Sequence, residues 1–232
     1  MIKITFRILL LILVCHCHTF GQVNNTLLKN VQLKMDKVSD YEAEGKLRTN
    51  VAFLKLPIAK VKLYYKNPNK FKLKSENGMS FVPKGSMSIN LNNIFLNNKY
   101  TIIDAGVDKI GNIDVVVLKL LPDDDNSDLV LTTLYIDAVN FLILKSKTTT
   151  KENGTYELQM TYENYSKYGL PDKIIFSFNT KDYKLPKGIT FDFDDGSAKK
   201  SNAQNTVAKK GEIEIRIEKY QINKGLSSAI FK

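Results

Sequence analysis

The chain of 232 residues predicts a mainly β protein: one amphipathic helix, then about ten strands in a strongly curved or partly closed sheet. Three observations predict it. Clean alternation of apolar and polar residues runs through both ends of the chain. The central strands are apolar on both faces. Short turn signals separate nearly every pair of strands.

The first 21 residues read as a cleaved signal peptide rather than as part of the fold. Lys3 and Arg7 form a basic start, Ile8 to Cys15 a short apolar core, and Thr19-Phe20-Gly21 a junction of the kind a signal peptidase cleaves. The apolar run falls well short of the roughly 20 residues that cross a bilayer, which argues against a transmembrane anchor. Cys15 and Cys17 lie at the depth of a lipid-attachment cysteine, but Val14 and His16 precede them where a small residue is normal. Cleavage after Gly21 leaves 22–232 as one domain.

That cleavage removes both cysteines and both histidines, since all four lie at positions 15 to 18. Disulfides, thiol nucleophiles, Cys/His metal sites and every Ser-His or Cys-His triad go with them. Losing Lys3 and Arg7 lowers the net charge of +10 by two, to +8. A basic balance favours anionic surfaces. An exported chain with its lysines spread along strands does not point to nucleic acid.

Residues 25 to 38 form the helix: Leu27, Leu28, Val31, Met35 and Val38 lie within about 100° of arc, with Asn24 or Asn25 as N-cap. Leu47, Thr49, Val51 and Phe53 then alternate with Lys46, Arg48 and Asn50. Ala59, Val61, Leu63 and Tyr65 alternate with Lys60, Lys62, Tyr64 and Lys66. Asn67-Pro68-Asn69-Lys70 reads as a turn, after which Phe71, Leu73 and Ser75 alternate with lysines. The product is a set of antiparallel strands with one apolar face and one face dense in lysine. Gly78 to Asn98 reads either as a flap with a helical turn over Leu91, Ile94 and Phe95 or as a plain connection.

From Tyr100 to Ser146 the pattern changes. Strands near 100–104, 112–121, 129–136 and 141–147 are apolar on both faces, for example Val115 and Val117 backed by Val116 and Leu118. Such strands require cover on both sides. One helix covers only part of one side, so a flap, a curled sheet or a bound apolar ligand must supply the rest. Alternation returns with Tyr156, Leu158, Met160 and Tyr162, then Ile174, Phe176 and Phe178, and ends with Ile213, Ile215 and Ile217. Residues 196–210 have the composition of a mobile loop.

No motif nominates catalysis. Asp192, Asp194, Asp195 and Gly196 lack the alternate acids and closing Glu of a calcium loop, and Asp123 to Asp125 form a polar turn. Asn24, Asn153 and Asn164 sit in three-residue glycosylation-type patterns common in an Asn-rich chain. There is no tryptophan to stack a sugar and no glycine-rich phosphate loop. The reading is non-enzymatic, without metal or cofactor.

The order of features resembles the LolA-type outer-membrane lipoprotein carriers and lipoprotein-sorting proteins. The similar points are a signal peptide, an N-terminal helix, an early strand through Tyr64-Tyr65-Lys66-Asn67-Pro68-Asn69-Lys70-Phe71-Lys72-Leu73, and a late Phe176-Ser177-Phe178 strand. Lys184-Leu185-Pro186-Lys187-Gly188-Ile189 followed by Asp192 is similar to the segment before the family's closing region. The Asn- and Lys-rich composition and Gly-Gln junction resemble exported proteins of the Bacteroidetes. The chain departs from the family in lacking an early tryptophan and in its lysine-rich loop at 196–210.

The resemblance implies an open antiparallel half-barrel with the N-terminal helix and a short helical flap on its concave side. It implies a periplasmic carrier whose apolar cavity takes lipoprotein acyl chains or lipids, served by membrane-associated donor and acceptor proteins. Candidate wall residues are Leu63, Tyr65, Phe71, Val115, Val117, Leu131, Phe141, Ile143 and Phe176, although the pattern does not phase which face of a central strand points inward. The alternative is a non-catalytic envelope module whose apolar sheet face binds another protein.

Overall fold

The computed structural model describes residues 19–51, 54–55, 57–75, 99–152, 154–179 and 210–231. Helix α1 (Thr19–Met35) is followed by β1 (Asp40–Val51), β2 (Leu54–Lys55), β3 (Ala59–Lys66), β4 (Lys70–Ser75), β5 (Tyr100–Ile110) and β6 (Ile113–Pro122). β7 (Leu129–Asp137), β8 (Leu142–Thr150), β9 (Gly154–Thr161), β10 (Lys173–Asn179) and β11 (Lys210–Ile222) complete the strands. Short 3-10 turns lie at Ser166–Tyr168 and Ser228–Phe231.

The eleven strands of the described residues join one antiparallel sheet in the order β4-β3-β1-β11-β10-β9-β8-β7-β6-β5, with β2 attached to β1. β11 is the last strand in the chain, yet it lies between β1 and β10. It thereby ties the N-terminal hairpins to the central meander. Among the described residues β4 and β5 do not pair, so the sheet is an open half-barrel and not a closed one.

The alternating segments became strands because burying one side-chain row and solvating the other satisfies both the backbone and the side chains. β3 shows this directly, with Val61, Leu63 and Tyr65 buried between the more exposed Lys60, Lys62, Tyr64 and Lys66. The central strands run longer than the sequence suggests, because the two-residue turn at Gly111-Asn112 lets β5 and β6 pair up to Ile110↔Ile113. The expected flap at 78–98 and the loop at 196–210 lie almost wholly outside the described residues.

The helix differs from its expected span. It starts before the expected Asn24/Asn25 cap and stops at Met35, three residues short of Val38. Val38 belongs to the turn into β1, its N–H donating to the Met35 carbonyl at 3.1 Å. Asn24 does not cap the helix; its side-chain amide donates to the Asp104 carboxylate on β5 at 3.2 Å. At the other end Lys34 Nζ donates to the Asn140 carbonyl in the β7–β8 turn at 2.5 Å. The helix is therefore tied to the sheet at Asn24 and at Lys34, and Leu27, Leu28 and Val31 face inward between these two points. No helix of the described residues is long and apolar enough to cross a membrane.

Candidate binding face

The register defines two faces, a helix side and an outer side. On the helix side Leu118, Leu134, Ser146, Leu158, Phe176, Ile213 and Thr49 pair successively across seven strands, from β6 to β1. The neighbouring row runs Leu120, Thr132, Thr148, Tyr156, Phe178 and Gly211. Most of these side chains belong to one core with the helix residues. Phe176 sits between Tyr156 and Phe178, with ring centroids 5.4 and 5.5 Å away.

Two features make this face more than an ordinary core. Ten strands about 4.8 Å apart span roughly 43 Å, whereas a 17-residue helix covers a strip about 25 Å long and 10 Å wide. The helix cannot cover the face by itself. In addition, small polar side chains interrupt the apolar rows. Thr132 and Thr148 bond each other at 3.3 Å. The buried hydroxyls of Ser146 and Thr49 have no hydrogen-bond partner.

The expected wall residues divide between the two faces. Phe176 and Ile143 lie in the helix-side core, and Phe141 packs against it from the β7–β8 turn in a positive-φ conformation (φ 53). Leu63 and Tyr65, with Phe71 packed beside them, belong to a second cluster on the same face. Tyr168 and Leu170 pack against that cluster, as does an aromatic group in which Tyr41 stacks on Tyr65 at 5.3 Å. Tyr220 sits edge-on to Tyr41 at 5.2 Å and to Tyr165 at 4.7 Å. Val115, Val117 and Leu131 occupy the opposite, outer face. Val115 is sealed there by Leu142 and Leu144 in a small separate core. Val117 pairs with Tyr135, beyond which the same row turns polar through Lys145 and Gln159.

The single sequence pattern "apolar on both faces" thus has two causes, the helix-side core and this smaller outer one. Leu118, Leu120, Leu134 and Ile136, which were visible only as the other half of doubly apolar strands, are the helix-side residues of β6 and β7. The signal that could have found them is the pairing to Leu158 and Phe176, whose faces the alternation of β9 and β10 already fixes.

Ionisable groups on this face are tuned by burial. Burial holds Tyr41 and Tyr162 well above the usual phenol range, with nearby Tyr65 adding to the effect at Tyr41. Burial does the same at Tyr220, whose hydroxyl donates to the Pro171 carbonyl at 2.8 Å. The Tyr162 hydroxyl donates to the Ile143 carbonyl at 2.9 Å. A phenol raised in the fold contributes stability that is complete below its unfolded value near 10 and is lost as pH rises above it. Alkaline titration followed at the phenolate absorbance is expected to show these three ionising only together with loss of near-ultraviolet circular dichroism. Three early, independent ionisations would contradict the buried network.

No protein-family profile matches the chain, and no curated protein matches it by sequence. Solved structures do match. A LolA superfamily protein from Nitrosomonas europaea superposes with a TM-score of 0.55 at 12% identity, covering 88% of this chain and 97% of that one. An outer membrane lipoprotein-sorting protein domain from Vibrio parahaemolyticus gives 0.54 at 12% identity, covering 89% and 95%. A DUF1329 family protein from Desulfovibrio piger gives 0.54 at 12% identity, covering 91% and 96%. Nearly the whole of each neighbour is covered, and at this identity the likeness speaks to architecture alone: the chain has the LolA-type fold.

Proposed function

We propose that the chain is an exported, periplasmic binder or carrier of acylated ligands, lipoprotein acyl chains or lipids, which it holds against the helix-side face of the half-barrel. The observation that carries this reading is the mainly apolar row from Leu118 to Ile213, on a face wider than α1, the one α-helix among the described residues. The shared fold with a lipoprotein-sorting domain supports it. Phe176 and Ile143, with Phe141 at the rim, are the wall residues, and Leu63, Tyr65 and Phe71 form the far end of the same face. Val115, Val117 and Leu131 lie outside the proposed wall.

Holding an acyl chain is noncovalent work and uses no catalytic group. Each methylene removed from water contributes about 0.8 kcal/mol, so one or two chains give firm retention. The Thr132–Thr148 pair and the Ser146 hydroxyl offer a few polar contacts within the apolar face, enough to orient an ester or amide without anchoring it. Maturation after Gly21 and delivery between membrane-associated partners belong to the same proposal.

Native mass spectrometry of the chain purified gently from envelope extracts is the test. Added mass matching a phospholipid or acylated peptide, together with uptake of a fluorescent fatty-acyl probe, is expected. A bare protein that also ignores the probe would overturn the reading.

A further inference from the structure

The outer face of β4, β3, β1, β11 and β10 places like charges directly opposite one another. Lys60, Lys46, Arg216 and Lys173 form one continuous cationic row across four strands. Lys62 opposes Lys74, and Lys66 opposes Lys70. Cations facing each other across a ladder destabilise a sheet unless acids beside them offset the repulsion, and an anionic counter-surface would offset what those acids leave.

The acids of this face are already committed: Asp40, opposite Lys66, accepts from the Lys224 and Gly225 N–H groups, and Glu212 accepts from the Ser177 hydroxyl. Glu218 pairs with Lys46 at 2.6 Å, Glu214 with Arg216 at 2.5 Å, and Glu42 and Glu44 with Lys62 at 3.3 and 3.1 Å. Among the described residues no acid pairs with Lys60, Lys70 or Lys74, all exposed. The Lys74 ammonium lies over the Tyr64 ring, 5.7 Å from its centroid.

We infer that this face docks on an anionic bilayer surface. The choice of partner follows from the residues. Protein interfaces are built on aromatic and apolar anchors and are depleted in lysine, and this strip has the reverse composition. Compact ammonium groups on flexible stems, spread over adjacent strands, suit a laterally fluid array of phosphates, each near-surface cation adding to the attraction. The face lies opposite the proposed acyl-binding rows, so the two readings stand or fall separately.

The test is co-sedimentation of the full chain with phosphatidylglycerol/phosphatidylcholine vesicles and with phosphatidylcholine alone. Binding to the anionic vesicles alone, lost at high salt, is expected. Lys60→Gln, Lys70→Gln and Lys74→Gln together are expected to lower vesicle partitioning roughly 100-fold at low salt. These changes also relieve the like-charge pairs, so the variant keeps its fold and its uptake of fatty-acyl probe. The same number of glutamines at exposed Lys29, Lys109 and Lys151, off this strip, is expected to change partitioning less than about threefold. Equal losses in the two triple variants would mean that net charge alone acts, and would overturn the docking face. So would absence of vesicle binding, or tighter binding to a short DNA duplex than to vesicles.

Discussion

Gly45→Ala is expected to destabilise the protein by roughly 2–4 kcal/mol, far more than its chemistry suggests. In most strands this exchange stabilises by about 0.4–1 kcal/mol, because alanine has less backbone freedom to lose. Here the sign reverses. Gly45 sits at the irregularity between Glu44 and Gly45 where β1 shifts register against β11. A Cβ there would overlap the Arg216 carbonyl oxygen, with the Arg216 carbonyl carbon and the Ile217 Cα at 3.2 Å. Those are backbone atoms in the middle of the sheet, and they cannot swing aside as a side-chain tip does. At Gly211 an added Cβ would meet the Phe178 ring at 2.6 Å, and a ring can turn. Urea unfolding of both variants is the check: a large loss at Gly45 and a smaller one at Gly211 is expected, and a Gly45→Ala protein as stable as the parent would refute the close approach.

Phe176→Ala is expected to cost about 3–5 kcal/mol. Its ring is 2% exposed and bridges Tyr156 and Phe178, so truncation leaves a void under the row that joins β9 to β11. If the helix-side face holds acyl chains, the same variant, assayed in conditions where it is folded, binds a fatty-acyl probe more weakly. Ile143→Thr on that face is expected to weaken uptake as well. Val117→Thr, which adds the same kind of hydroxyl to the outer face, is expected to leave uptake unchanged. Loss of uptake in Val117→Thr alone would place the ligand on the wrong side of the sheet and sink the assignment.

How much of this was legible in the sequence follows from where the pattern carries phase. In β3 and β9 every other residue is lysine, tyrosine or another polar residue, and in β10 only Ile175 breaks that alternation, so Leu63, Leu158 and Phe176 announce their face. In β6 Val115 to Leu118 are all apolar, and periodicity alone cannot assign them. Only the pairing of Leu118 to Leu134, and through Ser146 to Leu158, puts it on the helix side and Val117 on the other. The outer core around Val115, Leu142 and Leu144 was invisible for the same reason, since it is assembled from β6 and β8 with Tyr135 and Tyr162 packed against it. The helix was legible as a face but not in its limits, because Asn24 bonds to Asp104 eighty residues away and not to its own backbone.

The lysine-rich face was legible as composition, whereas its row of four opposed cations needed the insertion of β11 between β1 and β10. That insertion brings Arg216 between Lys46 and Lys173. A last strand returning to the middle of the sheet leaves no local trace in the chain.

The unjoined ends of the sheet have a mechanical meaning. At one end the C-terminal segment braces the hairpin, with Lys66 and Lys72 donating to the Leu226 and Ile230 carbonyls at 2.6 and 2.7 Å. Among the described residues the β5 end has no ladder to β4. A closed barrel can change its bore only by breaking a ring of hydrogen bonds, but this sheet can breathe. A small change of twist, shared among its ladders, swings the β5–β6 hairpin outward like the free leaf of a folding screen whose other end is fastened. Because α1 is tethered both to Asp104 on that leaf and to Asn140 in the β7–β8 turn, opening the sheet pulls directly on the helix.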